Sequence, residues 1–123
     1  MNYKKILVVE DEEDIANLLR IILTSNGWDV IIANTGKEAL QLYTEHQENI
    51  KVILLDIQMP EFDGLKFLDW LRNENKSQTP VLVSTGLNSN EINYKLNDFT
   101  YVDMLQKPFK SKQLITKLEQ WNL

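Results

Sequence analysis

The fold is decided by residues 52–64, which have the sequence VILLDIQMPEFDG. Residues 52–55 form a short aliphatic run of the length and composition typical of a buried strand. Asp56 ends this run. An Asp-Gly pair at 63–64 then precedes a segment whose leucines, at positions 65, 68 and 71, recur at helical spacing. The stretch therefore predicts a buried strand that leads through a short loop into a helix.

The same strand-then-helix pattern occurs throughout the chain. Short aliphatic runs at residues 5–9, 30–33 and 81–84, and a weaker run at 101–105, predict four further strands. Amphipathic segments follow them, with apolar residues Ile15, Leu18, Leu19, Ile22 and Leu23, then Ala39, Leu40 and Tyr43, then Ile92 and Leu96, and finally Leu114, Ile115, Leu118 and Trp121. Strict alternation predicts one α/β domain over residues 1–123, with a parallel sheet and helices on both faces.

Local signals place several helix ends. Gly27 is a typical stop after the first helix. Thr35 and Glu38 have the spacing of a capping box at the start of the second, and Asn88 with Glu91 has the same spacing before the fourth.

Composition and charge exclude several classes of protein. The chain has 123 residues, no cysteine, one histidine and a net charge of −5, and five consecutive acids, residues 10–14, account for the whole excess. A disulfide scaffold, a thiolate metal site and a multi-histidine centre are excluded. The acidic balance argues against direct nucleic-acid binding. With no targeting or membrane-spanning segment visible, we expect a cytoplasmic protein.

Polar residues end the predicted strands. They are Glu10 and Asp11, Asp56, the group Ser84, Thr85 and Gly86, and Lys107 with Pro108. Because ligands of open α/β sheets bind beyond the carboxyl ends of the strands, these side chains are expected to converge. Clustered carboxylates repel one another, so at least one should have a raised pKa until a cation binds.

The set of motifs resembles the response-regulator receiver domain of two-component signalling. The resemblance rests on residues 8–12 (VVEDE), 52–64, 84–86 (STG) and 107–109 (KPF), and it extends over essentially the whole chain. It implies a doubly wound (βα)5 domain of the chemotaxis-regulator type, with strand order 2-1-3-4-5.

The resemblance also implies roles for individual residues. Asp56 would accept a phosphoryl group, and Mg²⁺ or Mn²⁺ would be held by Glu10, Asp11, Asp56 and the backbone carbonyl of Gln58. Lys107 and Thr85 would contact the phosphoryl oxygens. Such a protein is a signalling phosphoacceptor that catalyses only its own phosphorylation and dephosphorylation, rather than an enzyme.

Some positions depart from the family or modulate its chemistry. Met104 replaces the usual aromatic residue three positions before the lysine, and strand alternation places Tyr101 on the opposite face from it. The family commonly has small residues around Thr100 and Tyr101. Leu87, two positions past Thr85, is expected to screen the phosphate from water. The resemblance further predicts a cis peptide bond at Pro108.

The expected partners are a sensor histidine kinase or phosphotransfer protein, and a downstream protein that contacts the fourth helix, fifth strand and fifth helix. We expect no output domain within these 123 residues, no membrane contact, and a monomer or weak dimer. Two alternatives stay open: a degenerate receiver that acts by binding alone, and an aspartate-nucleophile phosphohydrolase, which would need a second aspartate where Gln58 stands. A flavin binder is disfavoured, because residues 10–14 would repel its phosphate.

Overall fold

A computed structural model describes residues 4–86 and 90–123. These residues form a five-stranded parallel sheet of order β2-β1-β3-β4-β5, which confirms the predicted fold. The strands are β1 (Lys4–Val9), β2 (Trp28–Ala33), β3 (Ile50–Asp56), β4 (Val81–Thr85) and β5 (Val102–Gln106). The helices are α1 (Glu13–Ser25), α2 (Gly36–His46), α3 (Gly64–Asp69), α4 (Asn90–Leu96) and α5 (Ser111–Glu119), and a π-helical turn (Trp70–Glu74) extends α3.

The sheet is buried on both faces. In β1, Ile6 and Val8 point to the layer that contains α1 and α5, while Leu7 and Val9 point to the layer of α2, α3 and α4. Side chains of successive strand residues alternate between the two faces, so the middle positions of the central strands, 6–9, 52–55 and 81–83, are all apolar. This explains why β1, β3 and β4 appear in the sequence as continuous aliphatic runs rather than as alternating patterns.

Two predicted helix faces are partly wrong. In α1, Ala16, Leu19 and Leu23 are buried, whereas Leu18 is 58% exposed. In α2, Ala39 and Tyr43 are buried but Leu40 is 39% exposed. Apolar spacing defines a broad stripe on a helix, and one edge of that stripe faces solvent in both helices.

Helix ends follow the local signals where the structure describes them. The Thr35 hydroxyl accepts a hydrogen bond from the Glu38 amide at 3.1 Å, and the Glu38 carboxylate accepts one from the Asn34 amide at 2.7 Å. Gly27 follows α1 with a φ of +88°, a left-handed conformation that favours glycine. Asn88 lies outside the described residues, so its capping role stays a prediction.

The fifth strand begins at Val102, one residue later than predicted, because Tyr101 has a left-handed φ of +54°. The guanidinium of Arg72, from the π-helical turn, fixes the preceding turn. It donates to the Thr100 carbonyl at 2.9 and 3.2 Å, and to the Ser77 carbonyl at 3.1 Å. Arg72 is 8% exposed, and its burial lowers the pKa of the guanidinium below its usual value. These bonds set the start of β5, and thereby the position of the residues that follow its far end.

Candidate functional site

Parallel pairing brings the ends of four strands to one edge of the sheet. Val9 pairs with Leu55, and Asp56 pairs with Ser84, so Glu10 and Asp56 emerge at the same level. Thr85 pairs with Gln106, which places Lys107 just beyond β4. The backbone amide of Lys107 donates to the Thr85 carbonyl at 2.8 Å and extends this pairing by one residue.

Three carboxylates form an acidic pocket at this edge. One oxygen from each of Glu10, Asp11 and Asp56 lies within 4.8 Å of the other two. Glu10 and Asp56 are buried, and Asp11 is exposed. The pKa of Glu10 is raised to about 7, mainly by burial and secondly by repulsion from Asp56. The second cause agrees with the expected repulsion between the carboxylates. A set of carboxylate oxygens at this spacing fits a hard divalent cation such as Mg²⁺, so these residues could hold one.

Lys107 supplies the positive charge of the pocket. Its Nζ lies 3.2 Å from Oδ2 of Asp56 and 3.5 Å from Oε1 of Glu10. Burial alone would lower the pKa of the ammonium, but attraction to Asp56 and Glu10 outweighs this effect and raises it. The peptide bond between Lys107 and Pro108 is cis, as expected.

Gln58 links the two loops that flank the pocket. Its backbone amide donates to Oδ1 of Asp56 at 2.9 Å. Its side-chain oxygen accepts a hydrogen bond from the backbone amide of Gly86, the residue that directly follows β4. The sequence identified the Gln58 carbonyl as a candidate ligand, but no local signal pointed to this side-chain contact, which depends on the pairing of β3 with β4.

The remaining predicted positions lie around this cluster. Thr85 is fully buried at the end of β4. Met104 is half-buried on β5 and packs against the core layer of α2, α3 and α4, while Tyr101 precedes the strand and is 56% exposed. Leu87 lies outside the described residues, so its screening role stays a prediction.

Comparisons with known proteins agree with this arrangement. The family model for the response regulator receiver domain matches residues 6–119. The transcriptional regulatory protein CpxR of Escherichia coli is 35% identical over 115 residues, which are 93% of this chain and 47% of CpxR. The chain thus spans about half the length of the curated relatives it matches.

Solved structures show the same fold. The chemotaxis protein CheY4 of Vibrio cholerae superimposes with a TM-score of 0.87 at 28% identity, over 96% of this chain and 98% of CheY4. The receiver domain of the Francisella response regulator 1452 gives a TM-score of 0.83 at 36% identity, over 95% and 94% of the two chains.

The fold and the pocket together define a parallel α/β domain with an acidic site at the carboxyl ends of its strands. This chain belongs to the response regulator receiver domain family of two-component signalling. The family is one of signalling proteins not usually classed as enzymes. Within the described ranges, no helix is both long enough and apolar enough to cross a bilayer.

Proposed function

We propose that the protein receives a phosphoryl group on Asp56 from a phosphohistidine of a sensor kinase or phosphotransfer protein. The observation that carries this proposal is the placement of the buried Asp56 carboxylate beside the Lys107 ammonium, 3.2 Å away, in one pocket with the acids Glu10 and Asp11. An Asp56 oxygen would bond to phosphorus as the bond to the donor's imidazole nitrogen breaks, and its electron pair would return to the imidazole. The product is an acyl phosphate on Asp56.

Catalysis of this transfer requires positioning and charge neutralisation more than further covalent chemistry. Glu10, Asp11, Asp56 and the Gln58 carbonyl would hold Mg²⁺ or Mn²⁺, and the ion would supply positive charge next to the transferred oxygens. Lys107 would move from its ion pair with Asp56 to a phosphoryl oxygen, since it carries the compensating charge of the pocket. Thr85, at the end of β4, would donate its hydroxyl to another.

Phosphorylation would act on the surface formed by α4, β5 and α5. Lys107 follows β5, and Met104 lies on the same strand three residues earlier, so a shift of Lys107 toward phosphate would be transmitted along β5. A downstream protein would bind this surface according to its state. The curated relative CpxR is a transcriptional regulatory protein about twice the length of this chain. We therefore propose that the output is transcriptional regulation, while this chain itself would not contact DNA. The cytoplasmic location and the monomeric or weakly dimeric state expected from the sequence stay predictions.

The test is phosphorylation by acetyl phosphate in the presence of Mg²⁺, followed by intact mass. One phosphoryl group should be gained as acetate leaves, and the gain should be absent in Asp56→Ala and Asp56→Asn. Asp14→Asn, a matched loss of one acid in the first turn of α1, should be phosphorylated like wild type. A protein that gains no mass would refute the proposal and favour the binding-only alternative. Sustained release of inorganic phosphate without accumulation would favour a phosphohydrolase.

A further inference from the structure

The Gln58 side chain forms a bridge across the mouth of the pocket. Asp56 and Ser84 are directly paired on adjacent strands, and Gln58 and Gly86 each lie two residues beyond them. The hydrogen bond from the Gly86 amide to the Gln58 side-chain oxygen therefore spans the gap between the two strand exits, just beyond the Asp56 carboxylate. Both residues are exposed, so the bridge lies on the solvent side of the pocket.

The close approach leaves little space at the bridge. A Cβ atom added to Gly86 would lie 3.0 Å from the Gln58 side-chain oxygen and 4.0 Å from the Lys107 Cβ. The Gln58 and Lys107 side chains therefore both lie close to the position that a side chain at Gly86 would occupy. The backbone on the strand side of Gly86 is fixed, because the Lys107 amide donates to the Thr85 carbonyl.

A phosphoryl group on Asp56 would bring its oxygens to the strand exits at which Gln58 and Gly86 lie, because Asp56 and Ser84 are paired. A phosphoryl group bonded to Asp56 carries three strong acceptor oxygens, and a backbone N–H beside a fixed anion forms a charge-assisted hydrogen bond. In the unphosphorylated protein, the neutral carboxamide of Gln58 takes this donor instead.

We propose that Gln58 is an inhibitory latch: its carboxamide oxygen occupies the Gly86 amide, and a phosphoryl group must displace it to bind Asp56. This inference rests on the proposed phosphorylation of Asp56. The latch slows phosphorylation by the free energy of one solvent-exposed hydrogen bond, and removing it accelerates the reaction about two- to tenfold. It also ties Gly86 to the loop after β3 before phosphorylation.

The test compares wild type with Gln58→Met, which has a side chain of similar length without the acceptor. Gln58 is exposed, so the substitution does not disturb the core. Gln41→Met is the matched control, since Gln41 is also exposed and bonds only to Glu45 within α2 among the described contacts. In metal-free and phosphate-free protein, the ¹⁵N–¹H signal of Gly86 should shift upfield and its hydrogen exchange should accelerate in Gln58→Met, but not in Gln41→Met.

The same variants are then phosphorylated with acetyl phosphate and Mg²⁺, and the rate is followed by intact mass. Gln58→Met should react about two- to tenfold faster than wild type and Gln41→Met at the wild-type rate. An unchanged Gly86 signal, or an unchanged or slower reaction of Gln58→Met, overturns the latch while the proposed function stands. Failure of wild type itself to gain a phosphoryl group refutes the proposed function, and with it any effect of the latch on phosphorylation.

Discussion

The Lys107 ammonium lies 3.2 Å from Oδ2 of Asp56 and is shared with Glu10, so one cation faces two buried acids. Asp11 adds a third carboxylate to the same pocket. The local charge is therefore negative when all the acids are ionised. Burial of Glu10 and, to a smaller extent, repulsion from Asp56 raise the pKa of Glu10.

The raised pKa of Glu10 predicts that the metal-free protein becomes less stable as the pH rises. The pKa of Glu10 is about 7 in the folded state and 4.5 as a model value, so the folded state binds more protons between these values. The stabilisation is fully present below pH 4.5 and is lost as the pH rises through 7. Urea unfolding in EDTA should show the free energy of unfolding falling by on the order of 1–3 kcal/mol between about pH 5 and 8.

Glu10→Gln is the control for this pH dependence, because glutamine has a similar shape and does not titrate. Its free energy of unfolding should change less over the same pH range. The pKa of Asp103 is lowered from 3.8 and that of Lys107 is raised from 10.5, so neither titrates in this window. A wild-type profile that is flat or rises with pH would contradict the assignment.

A divalent metal ion bound by Asp11 and its neighbours should restore the stability that the metal-free protein loses at high pH. With Mg²⁺ at ten times its dissociation constant, binding to the folded state adds about 1.4 kcal/mol, which raises the melting temperature by about 4–8 °C for a domain of this size. Asp11→Asn should lose most of this response at pH 8, because it removes one carboxylate ligand from the pocket.

Asp14→Asn is the matched substitution for the metal experiment. It removes an acid from the same acidic run, but Asp14 lies in the first turn of α1. Thermal unfolding monitored by circular dichroism should give the full Mg²⁺ response for Asp14→Asn. Equal responses of the two variants would show that the effect of Mg²⁺ is a general response to charge and not binding in the pocket.

Much of this site could be predicted because parallel strands end at a common edge. Residues 52–55 identified the central strand, and once the other strands were placed, Asp56, Glu10 and Lys107 had to lie near one another. The relative position of these side chains follows from topology, and the topology itself came from a resemblance that the whole set of motifs supports. Strand bounds differed by no more than two residues from those predicted.

Contacts between side chains and distant backbone groups could not be predicted in the same way. The side chain of Gln58 reaches Gly86, which is 28 positions away, and Arg72 reaches Thr100 over the same separation. No local pattern distinguishes Arg72 from an exposed arginine at the end of a helix. Arg72 lies in the π-helical turn, and its partners are backbone carbonyls of residues distant in sequence.

Arg72 is expected to contribute strongly to stability because it satisfies the carbonyls of the turn before β5. Arg72→Met keeps the apolar stem but leaves the Ser77 and Thr100 carbonyls without these donors, and we expect a loss of about 2–4 kcal/mol in urea unfolding. Arg20→Met is the matched control, since Arg20 is exposed and donates to the Val30 carbonyl at 3.3 Å; it should cost less than about 1 kcal/mol. Similar losses in both variants would contradict the role of Arg72.

A substitution at Tyr101, in the turn that Arg72 contacts, is expected to stabilise the protein. The Tyr101 φ of +54° costs a residue with a Cβ atom about 1–2 kcal/mol, and the Tyr101 side chain is 56% exposed. Glycine removes this cost but loses about 0.5–1 kcal/mol through the greater freedom of the unfolded chain, so Tyr101→Gly should gain about 0.5–1 kcal/mol.

Tyr101→Ala separates relief of backbone strain from loss of the aromatic ring. Alanine keeps the Cβ atom and therefore the strained φ, so it should be no more stable than wild type. Both variants keep the Tyr101 carbonyl, which accepts from the Val81 amide at 2.9 Å, so the start of the β4–β5 pairing is preserved. If urea unfolding shows that alanine stabilises the protein as much as glycine, the ring and not the backbone conformation is the source of the strain, and the bulk of Tyr101 acts on its neighbours.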